Sequence, residues 1–311
     1  MKTEMINKNE LKKYPGVNIS NRDLKKMPEL QISGKILNTE GKLYVYRHKD
    51  KWNSLKELLK LYYIQSPEYL DNKIYVVSQL LKYRDVIDMP ELVLPSSLVY
   101  LDDNICPSGF LMPWIESNVN MSLILNNPKV NLKQKMLYLK EIFKILDKTM
   151  KIKELENNFF LGDIHEANFI LDVDDQMIKA IDMDSAYING SNIGVSKFLT
   201  MNFNLTNPES KCAKYLLDED DRPIPDKNTT TLCFVYMLLN VLSGCRDSYD
   251  WSKAGFYYYL SFLGDNKISG DLLDAISNIY ANSPKNEFSE ELLDEIDLRR
   301  DYSLEKMARL K

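Results

Sequence analysis

Residues 159–186 read FFLGDIHEANFILDVDDQMIKAIDMDSA. Two short apolar runs, Asn168–Leu171 and Met177–Ile181, flank the acidic turn Asp172–Asp175. Short apolar runs bounded by turn residues predict the two strands of a β-hairpin. Asp163 and Asn168 stand five residues apart in the polar loop before the first strand, and Asp182 directly follows the second. A hairpin returns the end of its second strand beside the start of its first. Asn168 and Asp182 are therefore expected to face one volume, with Asp163 close by.

Carboxylate and amide oxygens are the hard ligands that Mg²⁺ takes. Phosphoryl transfer also needs a carboxylate that accepts or orients the proton of an attacking hydroxyl. One Asp for the acceptor, plus one Asn and one Asp for a cation, covers both tasks. Singly, each of these residues reads as a turn cap, because Asp and Asn favour turns. The two spacings and the two flanking strands together favour the chemical reading. Asp184, two residues beyond Asp182 on the same strand face, is the alternative cation ligand. His165 either touches phosphates or holds the loop.

The run Gly162-Asp163-Ile164-His165-Glu166-Ala167-Asn168 resembles the catalytic loop of the protein-kinase-like superfamily. Protein kinases carry H-R-D-x-x-x-x-N, with the same Asp-to-Asn spacing. The variant H-G-D-x-H-x-x-N of aminoglycoside phosphotransferases is matched at Gly162, Asp163, His165 and Asn168. Ile181-Asp182-Met183-Asp184-Ser185-Ala186 resembles the I-D-x-x-x-A of the same relatives. The resemblance implies that Asp163 is the catalytic Asp, that Asn168 and Asp182 hold Mg²⁺, and that ATP is the phosphoryl donor. It implies an α+β, bilobal protein-kinase-like fold with a small β-rich N-lobe and a mainly helical C-lobe. It also implies a hydroxyl acceptor on a protein Ser or Thr. A small-molecule hydroxyl, or a pseudokinase that binds nucleotide without transfer, are the alternatives.

Working towards the N-terminus, Lys60 lies in Leu58-Leu59-Lys60-Leu61, about where such proteins carry the strand lysine that binds phosphates. Lys56 is the second candidate. Met112-Pro113-Trp114-Ile115-Glu116 resembles a gatekeeper and hinge run, which places Met112 and Trp114 beside the adenine of ATP. The pattern departs in several places. No G-x-G-x-x-G occurs, and only Gly34 and Gly41 fall near that position. Leu161 replaces the His of H-R-D. The expected helix Asp71–Tyr83 contains no Glu, which leaves Gln79 or Glu68 as the partner of Lys60. Asn207-Pro208-Glu209 is a faint echo of A-P-E. The apolar helix at Thr229 lacks an Asp near its start unless Asp226 serves.

The remaining elements follow from periodicity. Leu30–Leu37 and Lys42–His48 read as strands, and Leu55–Tyr63 fits strand or helix. Asp71–Tyr83 has a helical period, Glu91–Leu94 and Ser97–Leu101 are β-like, and Gly109–Ile115 is an apolar run. Leu132–Met150 is an amphipathic helix and Thr229–Leu242 a buried one. Helices are expected at Gly255–Leu263, Gly270–Asn282 and Ser289–Leu298, the last with Ser289 as N-cap. The domain reading is a loosely attached extension over residues 1–28, an N-lobe over 29–115 and a C-lobe over 116–311.

Composition narrows the function classes. The 311 residues are 44% hydrophobic and 27% charged, with a net charge of −5, as in ordinary globular proteins. No basic block stands out, which argues against nucleic acid as a partner. Cys106, Cys212, Cys233 and Cys245 form no C-x-x-C pair, and the chain has 2 His, which argues against structural zinc. Scattered cysteines fit a reducing compartment. The polar stretch Met1–Tyr14 lacks the apolar core of a signal peptide, and the apolar run Leu232–Leu242 is too short to cross a bilayer. The expectation is a cytoplasmic protein without a membrane partner.

Overall fold

A computed structural model describes residues 8–30, 41–48, 56–62, 67–102, 104–156, 158–191, 226–246, 248, 251–281 and 288–309. They form a mixed α+β structure, and the chain divides into two units. Met1–Ser117 and Ile181–Ile193 make the first; Asn118–Ala180 and Gly194–Lys311 make the second.

The first unit is built on a sheet of five strands: β1 (Gly16–Ile19), β2 (Gly41–Arg47), β3 (Lys56–Tyr62), β4 (Ser97–Leu101) and β5 (Gly109–Pro113). Their order is β1–β4–β5–β3–β2. β1 runs parallel to β4, and the other neighbours are antiparallel. Over Lys56–Tyr62, where strand and helix both fitted the sequence, the chain is a strand. Alternation along it explains why: Leu59 and Leu61 pack with Tyr44, Val99 and Leu111 on one face. Leu58 and Tyr62 pack with Leu98, Phe110 and Met112 on the other, together with Ile74 and Val77 of a helix.

Two four-residue helices, α1 (Lys8–Leu11) and α2 (Asn21–Leu24), flank β1. The stretch expected to be a loose extension is thus partly bound into the sheet. The pull is apolar, because Ile19 and Leu11 are each 3% exposed. α3 (Pro67–Lys82) is followed by α4 (Arg84–Ile87). Most of the strand expected at Leu30–Leu37 lies outside the described residues, as do Gly34, Cys212 and Asn207-Pro208-Glu209.

In the second unit, β6 (Asn118–Asn120), β8 (Phe169–Asp172) and β9 (Met177–Ala180) form a three-stranded sheet. The hairpin pairs Phe169 with Ala180 and Asp172 with Met177. The short strand β7 (Phe159–Phe160) precedes the loop that leads into β8. α5 (Met121–Leu125) and α6 (Leu132–Met150) lie between β6 and β7. α6 buries Met136, Leu139, Ile142, Phe143 and Leu146 along its predicted stripe.

α7 (Lys227–Ser243) is buried throughout from Thr229 to Ser243. Its Phe234 stacks obliquely on Phe143 of α6, with ring centroids 4.9 Å apart. Asp226 stands at the start of this helix as its N-cap, and its carboxylate accepts from the Thr229 N–H at 2.7 Å. α8 (Lys253–Asp265), α9 (Gly270–Tyr280) and α10 (Leu304–Arg309) complete the unit. The helix expected over Ser289–Leu298 is instead a five-residue 3₁₀ turn, Glu291–Glu295. Only Leu293 and Ile296 of that stretch are buried. An apolar pair three residues apart suits the tighter turn. Among the described residues, no helix is long and apolar enough to cross a membrane.

Candidate functional site

The predicted residues fall into two groups, one in each unit. In the second unit they lie in the loop Leu161–Asn168, between β7 and β8. Leu161 and Ile164 are buried and anchor it. Residues Glu166–Asn168 form a 3₁₀ turn whose N-cap is His165. The ring Nδ1 of His165 accepts from the Ala167 N–H at 3.2 Å, which leaves the proton of a neutral ring on Nε2. That Nε2 lies 3.4 Å from Asp163 Oδ2. His165 therefore holds the loop, one of the two roles its position allowed.

Asn168 donates its side-chain N–H to the Asp163 carbonyl at 2.9 Å. One of its two N–H donors is thus engaged inside the loop. Asn120 donates to the Ala167 carbonyl at 2.7 Å and Asn126 to Glu166 at 3.1 Å. Asp163 keeps 25% of its side chain exposed. The loop thus holds the partly exposed Asp163 carboxylate on a hydrogen-bonded frame.

In the first unit, Lys60 of β3 is 6% exposed, with apolar neighbours in its strand. Its ammonium donates to Asp182 Oδ1, and to Asp184 Oδ1 at 2.9 Å. Asp182 occupies left-handed backbone at φ 62° and ψ 38°. Asp is among the residues that tolerate this conformation. Met183–Ser185 then wind into a 3₁₀ turn, with the Ser185 N–H on the Asp182 carbonyl at 3.1 Å. The expectation that Asp182 and Asp184 share a strand face gives way to a turn that sets both carboxylates on one lysine.

Asp184 is 0% exposed. Tyr62 donates its hydroxyl to Asp184 Oδ2 at 2.7 Å, and Lys73 Nζ lies 3.7 Å from the same oxygen. Lys73, itself 2% exposed, also donates to Ser185 Oγ at 2.9 Å. Burial raises the Asp182 carboxyl above its ordinary value, with the Asp184 charge adding to the rise and Lys60 opposing it. The 31% exposure of its side chain limits that rise. Burial acts the same way on Asp184, but Lys60, Lys73 and the Tyr62 hydroxyl outweigh it and hold the carboxyl well below the usual range.

Gln79, the partner proposed for Lys60 on the helix, accepts instead from Asn189 at 3.4 Å; the side chain of Glu68, the off-helix alternative, lies outside the described residues. Lys56, the second lysine candidate, pairs with Glu116 at 2.7 Å. Met112 is a core residue opposite Leu58, 6% exposed. The indole N–H of Trp114 is buried and meets no hydrogen-bond partner among the described residues. Such a donor is uncommon in a folded interior.

Lys73, Tyr62 and Ser185 were not singled out by sequence. The signal for Lys73 was present, because it interrupts the helical stripe Leu70, Ile74, Val77 and Leu81 with a charge.

Among the described residues no three His, Cys, Asp or Glu side chains cluster as a metal cage. Mg²⁺ bound with nucleotide needs only one or two carboxylates plus phosphates, and the partly exposed carboxylate of Asp182 is of that kind. No protein-family model matches this chain, and no curated protein is significantly similar to it.

Proposed function

We propose that this chain is an ATP- and Mg²⁺-dependent phosphotransferase of the protein-kinase-like superfamily, acting on a hydroxyl of a protein Ser or Thr. The observation that carries the reading is Lys60 of β3 held on Asp182, across 122 positions of sequence. A strand lysine and the Asp after a hairpin are the two groups that this chemistry requires on one nucleotide.

In this reading, as the resemblance implies, Asn168 and Asp182 would hold Mg²⁺, which would supply charge neutralisation at the phosphates. Lys60 binds phosphate oxygens, and Met112 and Trp114 line the adenine side. Asp163 takes the proton of the acceptor hydroxyl as its oxygen bonds to the γ-phosphorus. The bond from that phosphorus to the β–γ bridging oxygen breaks, and ADP leaves with the electron pair. His165 keeps the Asp163 loop in shape through the Ala167 N–H.

A small-molecule hydroxyl is the second reading. It is favoured by His165 at the position, two residues after Asp163, where Ser/Thr protein kinases usually carry Lys.

The test is transfer of labelled γ-phosphate to a panel of proteins and small hydroxyl compounds, with Asp163→Asn as the control. Asp163→Asn is expected to lower transfer by about 10²–10⁴-fold, the range for loss of a positioned proton acceptor, while ATP binding persists. Transfer unchanged in that variant contradicts the role given to Asp163. ATP binding without transfer to any acceptor moves the reading to a nucleotide-binding pseudokinase.

A further inference from the structure

We infer that Asp184 is the fixed counter-ion of Lys60 and that Lys73 of α3 balances it, which makes Asp184 and Lys73 positioning residues rather than ligands of a cation or a phosphate. The inference deepens the nucleotide reading and rests on it for what Lys60 holds.

The two carboxylates on Lys60 differ in what they have left to offer. Asp184 is 0% exposed, and both of its oxygens are engaged: Oδ1 by Lys60, Oδ2 by Tyr62 and Lys73. Asp182 keeps 31% of its side chain exposed. A cation arriving from solvent therefore meets Asp182, while Asp184 stays on the lysine.

A buried carboxylate must be paired and hydrogen-bonded, because an uncompensated charge is expensive away from water. Lys60 is shared with Asp182, so it supplies only part of that compensation. Lys73 supplies the rest. It sits among Ile74, Val76 and Val77, which are all at most 2% exposed, where a lysine has no reason to be unless a carboxylate faces it. Its bond to Ser185 Oγ ties α3 to the same turn. The helix therefore contributes a cation to this cluster. The carboxylate that orients the strand lysine comes from the turn, two residues past Asp182.

The experiment uses the full chain with Lys73→Met, Asp184→Asn and the double variant, followed by thermal unfolding. Each single substitution is expected to lower the melting temperature, and the double variant to recover most of the summed loss. Additive losses overturn the pairing.

Binding of Mn²⁺ with ADP, read from the paramagnetic signal of free Mn²⁺, supplies the readout that a merely structural role does not move. Asp182→Asn is expected to lose Mn²⁺-dependent binding. Asp184→Asn keeps it, with weaker ADP affinity through the loosened Lys60; the double variant stands in if the single one does not fold. Equal loss of Mn²⁺ in the Asp182 and Asp184 variants overturns the positioning assignment. Absence of Mn²⁺–ADP binding in the wild type overturns the nucleotide reading instead, and the unfolding cycle alone then decides the counter-ion assignment.

Discussion

Asp182 combines two properties that one substitution can separate. Its carboxylate meets Lys60, and its backbone sits in the left-handed region at φ 62°. Asn tolerates that backbone as well as Asp does, whereas Ala does not. Asp182→Asn therefore removes the charge and keeps the turn that places Asp184 and Ser185, so it is the cleaner probe.

Asp172 illustrates the opposite case, a buried carboxylate with a structural task. It closes β8, with Oδ2 2.7 Å from Lys179 Nζ and Oδ1 accepting from the Asp174 and Asp175 N–H groups. Burial alone would raise its carboxyl. The Lys179 ammonium and the backbone N–H groups outweigh that and hold it below its ordinary value. A depressed carboxyl contributes stability that is present above its unfolded value, about 3.9, and lost as pH falls through the folded one. Lys179 is raised by the same pairing, so its contribution is lost only at alkaline pH. Asp172→Asn is expected to cost about 1.5–3 kcal/mol at neutral pH and to flatten the acid limb of stability. Urea midpoints at pH 7 and pH 3 check this; an unchanged acid limb contradicts it.

At the scale of elements, β3 does most to place chemistry. Its alternation puts Lys60 on the face it shares with Tyr62, and two glycines let its neighbours approach. A Cβ at Gly109 would overlap the Lys60 carbonyl, and one at Gly41 the Leu61 carbonyl. Gly109→Val is expected to destabilise the chain by about 1–3 kcal/mol, as overpacking does. A denaturant midpoint as high as that of the wild type would show that β5 can move aside.

Where period and burial agree, elements were readable from sequence. α6 matches its predicted span, and the β8–β9 hairpin lies within one residue of its own. β1 was missed because a four-residue strand amid Lys and Asn leaves little periodic trace. The helix at Ser289–Leu298 was over-read because its charged start suits a helix while its buried surface suits a single turn. The spacing of Asp163 and Asn168 in one loop, and of Asp182 directly after the hairpin, is legible in the sequence. Lys73 shows in the sequence as a charge within an apolar helical stripe, but its partner Asp184 lies 111 positions away, and no local pattern names a partner over that distance.

For the whole molecule, two statements stand apart from any resemblance. The chain is mixed α+β, with a five-stranded sheet in one unit and a mainly helical second unit. Each unit carries its own polar group: Lys60, Asp182 and Asp184 in the first, Asp163, His165 and Asn168 in the second. The most direct measurement is thermal unfolding of the whole chain with ATP, with and without Mg²⁺, for the wild type and Asp182→Asn.

A ligand at about 100 times its Kd stabilises the native state by about 2.7 kcal/mol. For a chain of this size each kcal/mol corresponds to about 2–4 °C. The expected result is a rise of that order that requires Mg²⁺ and disappears in Asp182→Asn. A wild type that does not respond to Mg²⁺ and ATP, or an Asp182→Asn variant that responds as fully as the wild type, would contradict it.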